Sequence, residues 1–289
     1  MKNPNFNNEG YESLKVSEVE NITKVEWENI KIFRVRHGDT LYKEQLGGLS
    51  EGVIDLTEKG IQQLEDAADK IAERLDKKTD VISIISSPRQ RTKDSAGIIK
   101  RVLTERGFSV WEDPKARVEQ DRIRSTDLFN SDDEVIHVSD PEYVEGWSKI
   151  ATDMSQKLQP GETGVQLWKR GAIPSTEKAE DVSNRSRDQL TFLTRIARQI
   201  QPKLDKHIII VQVEHEETMD DLLEFASEGK LGIAAGNGVE KGEVIELDIP
   251  VKGNDIVVTP ISRGLEPTTV TVEFDHLKRK FRSKKHEIE

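Results

Sequence analysis

The segment Ile30-Lys-Ile-Phe-Arg-Val-Arg-His-Gly-Asp-Thr40 decides how the rest of the chain is interpreted. Its first six residues are mostly β-branched or aromatic, a composition that favours a strand. The strand is expected to end at Arg36-His37-Gly38. After a glycine-containing loop, Leu56-Thr57-Glu58 begins a helix whose apolar and small residues recur at helical spacing. Thr57 is a suitable N-cap for that helix.

The next elements repeat this alternation. Val81 to Ile85 is a compact apolar strand, and a helix follows from about Arg91 to Arg106. Gly107 ends that helix, since glycine is common just after a helix terminus, and Phe108 to Trp111 predicts another strand. Alternation of strands and helices is typical of an α/β fold. We therefore predict a three-layer α/β/α sandwich with a largely parallel central sheet.

The C-terminal half continues the pattern and then changes to β structure. Its most apolar stretch, His207 to Val213, predicts a strand that is buried on both faces. A helix is expected on either side of this strand, and the final part of the chain is β-rich. The remaining predicted elements are helices over about 177–201 and 218–227 and strands over 244–249, 256–261 and 269–274.

Composition divides the chain into a main domain with an arm, a lid and a tail. Residues 1–27 are rich in Asn, Glu and Ser and lack an apolar period, so they are predicted to be a mobile arm. Residues 112–176 are polar and rich in proline, and we interpret them as an irregular or partly helical lid inserted into the fold. Residues 276–289 form a basic tail. The main domain then spans residues 28–275.

The charge balance excludes several classes of function. The chain has 289 residues, with 54 acidic and 43 basic side chains and a formal net charge of −11. Such a protein repels polyanions, so general binding of nucleic acid or of an anionic membrane is not expected. The absence of cysteine excludes thiolate nucleophiles, disulfides and zinc–cysteine sites. No secretory signal or membrane-spanning run is recognised, so we expect a cytoplasmic protein.

Cations and histidines cluster at the ends of predicted strands, where ligands bind in open α/β sheets. Two arginines and two histidines at one rim suit a phosphate dianion, because guanidinium groups bind phosphate oxygens through paired hydrogen bonds. A neutral imidazole can attack phosphorus, and a nearby carboxylic acid can protonate the leaving oxygen. The segments concerned are Arg36-His37-Gly38-Asp39-Thr40, Ser87-Pro-Arg-Gln-Arg91, Arg117-Val-Glu-Gln-Asp121 and Val213-Glu-His-Glu216.

Six ordered motifs resemble those of the histidine phosphatase superfamily, the phosphoglycerate mutase-like proteins. Arg36-His37-Gly38-Asp39-Thr40 resembles the RHG[ED]T signature of the family. Ser87 to Ser95 is similar to its SPxxRAxxT motif, in which Arg91 is the phosphate-binding arginine. His215 matches the second histidine, which in the family also follows an apolar strand. The other matching segments are Leu56 to Gln62, Arg117 to Asp121 and Glu177 to Arg185.

The resemblance implies a phosphatase that hydrolyses a phosphomonoester through a phosphohistidine, with no metal or other cofactor. His37 would accept the phosphoryl group. Arg36, Arg91 and His215 would bind the phosphate oxygens. Glu119 would be the proton donor. The main domain would then be the catalytic domain, and its partner would be a small phosphorylated substrate rather than a nucleic acid or a membrane.

Glu216 departs from the family pattern, which usually has glycine after the second histidine. The acid phosphatase and phytase branch of the family keeps an acidic residue there as the proton donor. Glu216 is therefore a rival of Glu119 for that role, and the sequence does not choose between them. An acidic residue is also favoured at the start of a helix, which explains Glu216 equally well.

Three other functions are open. A phosphoglycerate mutase would use the same residues, although the mutase segment NERHYG is absent. A catalytically inactive phosphate-binding protein is favoured by the replacement of glycine with Glu216. A nucleic-acid-binding protein is supported only by the basic tail.

The sequence specifies neither the substrate nor the oligomeric state. Basic residues of the lid hint at a substrate with additional negative charge. These residues are Lys115, Arg117, Arg122, Arg124, Lys169 and Arg170.

Overall fold

The computed structural model describes most of the main domain. The described residues are 27–48, 53–111, 120–130, 132, 134–137, 140–272 and 281–283. Apart from Trp27, the predicted arm lies outside these ranges, and so do Glu119 and most of the predicted tail. The division of the chain into arm, domain and tail stays a prediction.

Ten strands and six α-helices lie within the described ranges. The strands are β1 (Asn29–Arg36), β2 (Asp80–Ser86), β3 (Ser109–Val110), β4 (Leu128–Phe129), β5 (Val135–Ile136), β6 (His207–Glu214), β7 (Val244–Pro250), β8 (Asp255–Thr259), β9 (Thr268–Val272) and β10 (Phe281–Ser283). The helices are α1 (Glu58–Ala72), α2 (Gln90–Glu105), α3 (Glu142–Lys157), α4 (Gly164–Lys169), α5 (Ala179–Ile200) and α6 (Glu216–Ala226).

Eight of the strands form one mixed sheet in the order β10-β9-β8-β7-β1-β6-β2-β3. β1, β6, β2 and β3 run parallel, whereas β7 to β10 are antiparallel to their neighbours. The predicted α/β class with its parallel central strands is confirmed, and the C-terminal strands extend the sheet by antiparallel pairing. Residues 251–254, which join β7 to β8, are too few for a parallel crossover, so these two strands pair antiparallel.

The sheet separates two apolar layers. Neighbouring side chains on β1 point to opposite faces, so that Ile32 packs in one cluster and Phe33 in the other. The cluster around Ile32 includes buried residues of α5 and α6, and the cluster around Phe33 includes buried residues of α1 and α2. Helices therefore cover both faces of the sheet, which gives the predicted three-layer sandwich.

Three helix ends agree with the sequence to within a few residues. α1 begins after Thr57, whose Oγ1 accepts a hydrogen bond from the Gly60 amide at 2.9 Å, as predicted. α2 ends shortly before Gly107, whose φ of +85° lies in the left-handed region that favours glycine. α6 begins at Glu216, slightly earlier than expected, because His215 occupies the N-cap position and the first turn is acidic.

The described part of the lid contains helices and a short β-hairpin. Its described residues form the β4–β5 hairpin and the helices α3 and α4. They contribute Tyr143, Ile150 and Trp168 to a small apolar cluster that also includes Val182 of α5 and Ile233. Burial of these side chains therefore packs the lid against the rest of the domain. Residues 112–119, at the start of the predicted lid, lie outside the described ranges.

β10 falls inside the segment predicted as a basic tail and pairs with β9 at the edge of the sheet. The other residues of that segment lie outside the described ranges. Wherever the structure describes the chain, no helix has both the length and the apolar composition needed to cross a membrane.

A buried ion pair lies near the carboxyl ends of the central strands β1 and β6. Arg34 on β1 pairs through two nitrogens with Glu214 on β6, and the two side chains are 3% and 0% exposed. Arg34 Nη2 also donates to Ser186 Oγ at 2.7 Å and to the Thr218 carbonyl at 2.8 Å. These contacts join β1, α5 and the start of α6, next to His215.

We expect the Arg34→Met variant to lower the free energy of unfolding by about 3–5 kcal/mol, because Glu214 then stays buried without its counter-charge. Urea unfolding of the native chain and the variant measures the difference. In the double variant Arg34→Met/Glu214→Leu, we expect most of the loss to be recovered, since no charge is then buried. A loss of less than about 1 kcal/mol in the single variant would contradict this account.

Candidate active site

The parallel strands bring the predicted residues to one edge of the sheet. Arg36 and His37 lie at the end of β1, Ser87 directly follows β2, and His215 directly follows β6. The ring centroids of His37 and His215 are 5.3 Å apart. Arg91 reaches the same place from the first turn of α2. The convergence follows from the parallel sheet, in which the carboxyl ends of adjacent strands meet.

His37 is a neutral imidazole with one free ring nitrogen. It is 4% exposed, and its Nδ1 lies 2.8 Å from the Gly38 carbonyl oxygen. A carbonyl oxygen only accepts hydrogen bonds, so Nδ1 carries the proton and Nε2 keeps its lone pair. Burial, followed by the charges of Arg91 and Arg36, lowers the pKa of His37 well below its usual value. His37 is therefore in the protonation state that a nucleophile requires.

Two glycines allow the loop that carries His37 to pack closely against α1. A Cβ atom at Gly38 would lie 2.5 Å from the carbonyl oxygen of Gly60, and one at Gly60 would lie 2.1 Å from the carbonyl oxygen of Asp39. Any larger residue would separate the two backbones, because both neighbouring atoms belong to the main chain. This contact fixes the loop next to the nucleophile.

His215 is oriented by two contacts and is also neutral. Its Nδ1 lies 3.4 Å from Arg91 Nη2, and its Nε2 lies 2.8 Å from Ser87 Oγ. Arginine only donates, so Nδ1 accepts and the proton of the neutral ring is on Nε2. Burial and then the charge of Arg91 lower the pKa of His215 well below its usual value. The Nε2 proton of His215 is therefore directed at Ser87 Oγ, and the ring lines the cavity without adding a positive charge.

Arg91 is a buried cation with unused hydrogen-bond donors. It is 3% exposed, and neither Nε nor Nη1 has an acceptor among the described residues. Glu44 Oε2 is 3.7 Å from Nη1, beyond hydrogen-bond distance. Burial and then the charge of Arg89 lower the pKa of Arg91. A bound dianion would supply both the missing acceptors and the missing negative charge.

Arg36 contributes a second guanidinium group to the same site. Its Nη1 donates to the Val239 carbonyl oxygen, and its Nη2 lies 2.8 Å from Glu216 Oε2. Its Nε has no acceptor within the part of the chain that the structure describes. Both arginines predicted to bind phosphate therefore have at least one donor available.

Glu216 places a carboxyl group beside these cations. Its side chain is 13% exposed, and burial raises the pKa of Glu216 to about 6, although Arg36 opposes the shift. Gly238 leaves room for this carboxyl group, since a Cβ atom there would lie 2.1 Å from Glu216 Oε1. Glu119, the other predicted proton donor, lies outside the described residues.

A cavity of about 370 Å³ joins these residues to the lid. Within the described ranges, no group of three or more His, Asp or Glu side chains is arranged to hold a metal ion. The charged and imidazole residues of the lining are Arg36, His37, Arg91, His215, Glu216 and Glu217. The apolar residues that the lid contributes to it are Trp147, Ile150, Met154, Val165, Trp168 and Ile173.

Four of the six lid bases that suggested a substrate with additional negative charge are described by the structure, and none of these four lines the cavity. Three of them form ion pairs with acidic residues of the chain, and Arg122 lies over the ring of Phe192. Lys115 and Arg117 fall outside the described residues. The hint is thus not supported, because charge patterning along the chain does not show which acids will pair with these bases. The ion pairs are Arg124–Asp127, Lys169–Glu224 and Arg170–Glu162.

Sequence reasoning gave no role to three polar residues of the site. Ser87 contacts the second histidine, and its place at the start of the SPxxR motif was an available signal. Arg89 is only 6% exposed and lies over the ring of Tyr143 at 5.1 Å, although its neighbourhood on the sequence is typical of a solvated helix start. Glu217 lines the cavity and accepts a hydrogen bond from Ser125 Oγ at 2.6 Å. No sequence signal distinguishes Glu217 from its acidic neighbours.

This is therefore an α/β protein in which two histidines and two arginines line one cavity at the sheet edge. Residues 32–171 match the family model described as the histidine phosphatase superfamily, branch 1. The resemblance to the histidine phosphatase superfamily that the sequence motifs indicate is confirmed by this match. The matched segment contains Arg36, His37 and Arg91, whereas His215 and Glu216 lie beyond it.

Two solved structures are among those similar to the chain. A mycobacterial glucosyl-3-phosphoglycerate phosphatase is 20% identical, with 75% of this chain and 89% of that chain covered and a TM-score of 0.44. A phosphoglycerate mutase from Bacillus anthracis str. Sterne is 15% identical, with 78% of this chain and 90% of that chain covered and a TM-score of 0.47. No curated protein matches the chain.

Proposed function

We propose that this protein is a phosphatase that hydrolyses a small phosphomonoester through a phosphohistidine on His37. One observation carries the proposal. His37, whose Nε2 is free, lines the same cavity as Arg36 and Arg91, and both of these arginines have buried nitrogens without a described acceptor. The family match over residues 32–171 supports the same chemistry. The proposal requires no metal, nucleic acid or membrane, and the cytoplasmic location stays a prediction.

The first step transfers the phosphoryl group to His37. Nε2 attacks phosphorus while the bond between phosphorus and the leaving oxygen breaks, and that oxygen takes a proton from a carboxylic acid. Arg36 and Arg91 neutralise charge on the phosphoryl oxygens, and His215 accepts a hydrogen bond from Arg91 through Nδ1 and so positions that guanidinium group. The second step reverses the proton transfer. The carboxylate accepts a proton from water, whose oxygen attacks phosphorus and releases phosphate and neutral His37.

We assign the proton donor to Glu216. Its pKa of about 6 lies close to neutral pH, where a single group can both give and accept a proton. Its carboxyl group lines the same cavity as His37. The ion pair with Arg36 holds the group at the site, and Gly238 allows its close approach.

The pH dependence of kcat/KM tests this assignment with a substrate that has a basic leaving group, such as n-butyl phosphate. We expect kcat/KM to fall by about tenfold per pH unit above about pH 6, because Glu216 must be protonated to act as the acid. In the Glu216→Gln variant we expect a loss of about 10²–10⁴-fold for this substrate and no further fall above that pH. Hydrolysis of p-nitrophenyl phosphate should suffer much less, since its leaving group needs little protonation.

Glu217→Gln is the matched control, since it neutralises the neighbouring carboxylate of the same cavity. We expect this variant to keep the fall above about pH 6. If kcat/KM falls above about pH 6 in Glu216→Gln and not in Glu217→Gln, the assignment of Glu216 as the proton donor is wrong. If both variants keep it, Glu119 becomes the donor to test.

Hydrolysis of p-nitrophenyl phosphate with EDTA present, from about pH 4 to about pH 9, tests the proposed function itself. We expect turnover that EDTA does not change. Isomerisation of 3-phosphoglycerate that depends on added 2,3-bisphosphoglycerate, without such hydrolysis, would instead identify a mutase. Tight binding of phosphate or vanadate with no turnover of either kind would identify a catalytically inactive phosphate-binding protein.

A further inference from the structure

The lid supplies a continuous apolar wall to the cavity that holds His37. Trp147, Ile150 and Met154 line it from α3 at spacings of three and four residues, which places them on one face of the helix. Val165 and Trp168 line it from α4. Because two separate helices present apolar side chains to the same space, the wall is a feature of the lid as a whole.

This wall is held in place before any ligand binds. Ile150 is 3% exposed and Trp168 is 8% exposed, and both belong to the apolar cluster of the lid. Trp168 Nε1 donates to the Glu177 carbonyl oxygen at 2.7 Å, which fixes the orientation of its ring. A preformed apolar surface binds an apolar group without the cost of ordering the protein first.

The charges of the cavity suit one anionic group only. Among its described lining residues, the permanent cations are Arg36 and Arg91, which a phosphate dianion would occupy. Glu216 and Glu217 line the same space. A second anionic group on the substrate would approach these carboxyl groups, and the described lining residues include no further cation to receive it, so the cavity discriminates against such substrates.

We infer that the substrate is a phosphomonoester of a bulky apolar alcohol or phenol, whose phosphate is its only anionic group. This inference rests on the proposed function for turnover, but binding tests it separately. The phosphate lies against Arg36 and Arg91, and the apolar leaving group lies against the wall that contains Trp147 and Ile150. The volume of about 370 Å³ is within the usual range for small-molecule sites, about 300–1,000 Å³.

Affinity for n-alkylphosphonates, which keep the anionic head and are not hydrolysed, measures the contribution of the wall. Titration calorimetry of the native full-length chain is expected to show affinity rising about threefold to fourfold per methylene from ethyl to hexyl, or about 10²-fold overall. Affinity for 3-phosphonopropanoate, which carries a carboxylate at a length similar to the butyl compound, should be about tenfold or more weaker than for n-butylphosphonate. Affinity that does not change with chain length would overturn the inference, and so would a preference for the carboxylate.

The Trp147→Ala variant locates the effect in the lid. We expect it to weaken hexylphosphonate binding by about tenfold while ethylphosphonate binding changes little, since only the longer chain reaches the wall. Trp111→Ala is the matched control, because Trp111 is 58% exposed and does not line the cavity. If both variants have equal effects on hexylphosphonate affinity, the lid wall does not contact the alkyl chain and the inference is wrong on this point.

Hydrolysis of the corresponding n-alkyl phosphates separates this inference from the proposed function. Their leaving groups have nearly the same basicity, so a rise of kcat/KM with chain length reports apolar contact rather than leaving-group reactivity. Turnover that does not depend on chain length would support the proposed phosphatase activity and contradict the inference of an apolar substrate. Phosphonate affinity that rises with chain length, without turnover of any phosphate ester, would support the inferred ligand class and contradict the proposed phosphatase activity.

Discussion

The His37→Ala variant is expected to hydrolyse p-nitrophenyl phosphate about 10³-fold or more slowly than the native chain. The imidazole of His37 is the group proposed to form the covalent intermediate, and its Nε2 is the free nitrogen of a neutral ring. Alanine leaves no nucleophile in the buried position, and a water molecule would have to attack phosphorus directly. Initial rates at saturating substrate, with EDTA present, measure the loss.

His137→Ala is the matched control, because His137 is an exposed histidine that does not line the cavity of His37. We expect its rate to equal that of the native chain. Rapid acid-free quenching during turnover should also capture phosphate bound to the native protein and none bound to His37→Ala. Retention of the native rate by His37→Ala would show that the reaction does not pass through this residue.

The Arg91→Met variant is expected to lose about 10²–10³-fold in kcat/KM. Methionine keeps much of the buried apolar stem but removes the guanidinium whose Nε and Nη1 have no acceptor among the described residues. The variant therefore loses hydrogen bonds to the phosphoryl group that strengthen as charge develops in the transition state. Arg91→Lys should recover only part of the loss, since an ammonium group cannot form the paired hydrogen bonds of a guanidinium group.

Arg101→Met controls for the loss of a positive charge from the same helix, because Arg101 is largely exposed and pairs with Glu65 on the protein surface. We expect its kcat/KM to stay within about twofold of the native value. An equal loss in Arg101→Met and Arg91→Met would mean that the field of the whole protein, rather than a local contact, assists the reaction.

Vanadate binding distinguishes the roles of the two site residues. His37→Ala removes the nucleophile but keeps both guanidinium groups, so affinity for the anion should fall less than the rate does. Arg91→Met should weaken anion affinity and rate together. Activity that survives in both variants would reject the site rather than one residue of it.

Much of the fold follows from local patterns in the sequence. The apolar run at His207 predicted a strand that proves buried along its whole length, and Thr57 predicted the start of α1. These features depend on side chains close together in the chain, which is why they can be recognised there. The lid was less predictable, because α3 and α4 are stabilised by a small cluster whose members meet only after folding.

The candidate site also has features that the sequence shows and features that only the folded structure shows. The sequence by itself determines that His37 and His215 follow strands and that Arg91 lies in the first turn of a helix, and its motifs single out these residues together with Arg36. Each lies next to an apolar strand or a helix start that can be recognised in the sequence, and these elements place it at the sheet edge. The roles of these residues stay proposals until the variants are measured.

Only the tertiary structure decided their chemical states. The Gly38 carbonyl sets the tautomer of His37, the contact between Gly38 and Gly60 fixes its loop, and burial raises the pKa of Glu216. The apolar wall that includes Trp147 likewise appears only when the lid is folded over the sheet edge. These properties depend on distances and burial between residues far apart in the chain, and a pattern of neighbouring residues contains no measure of either.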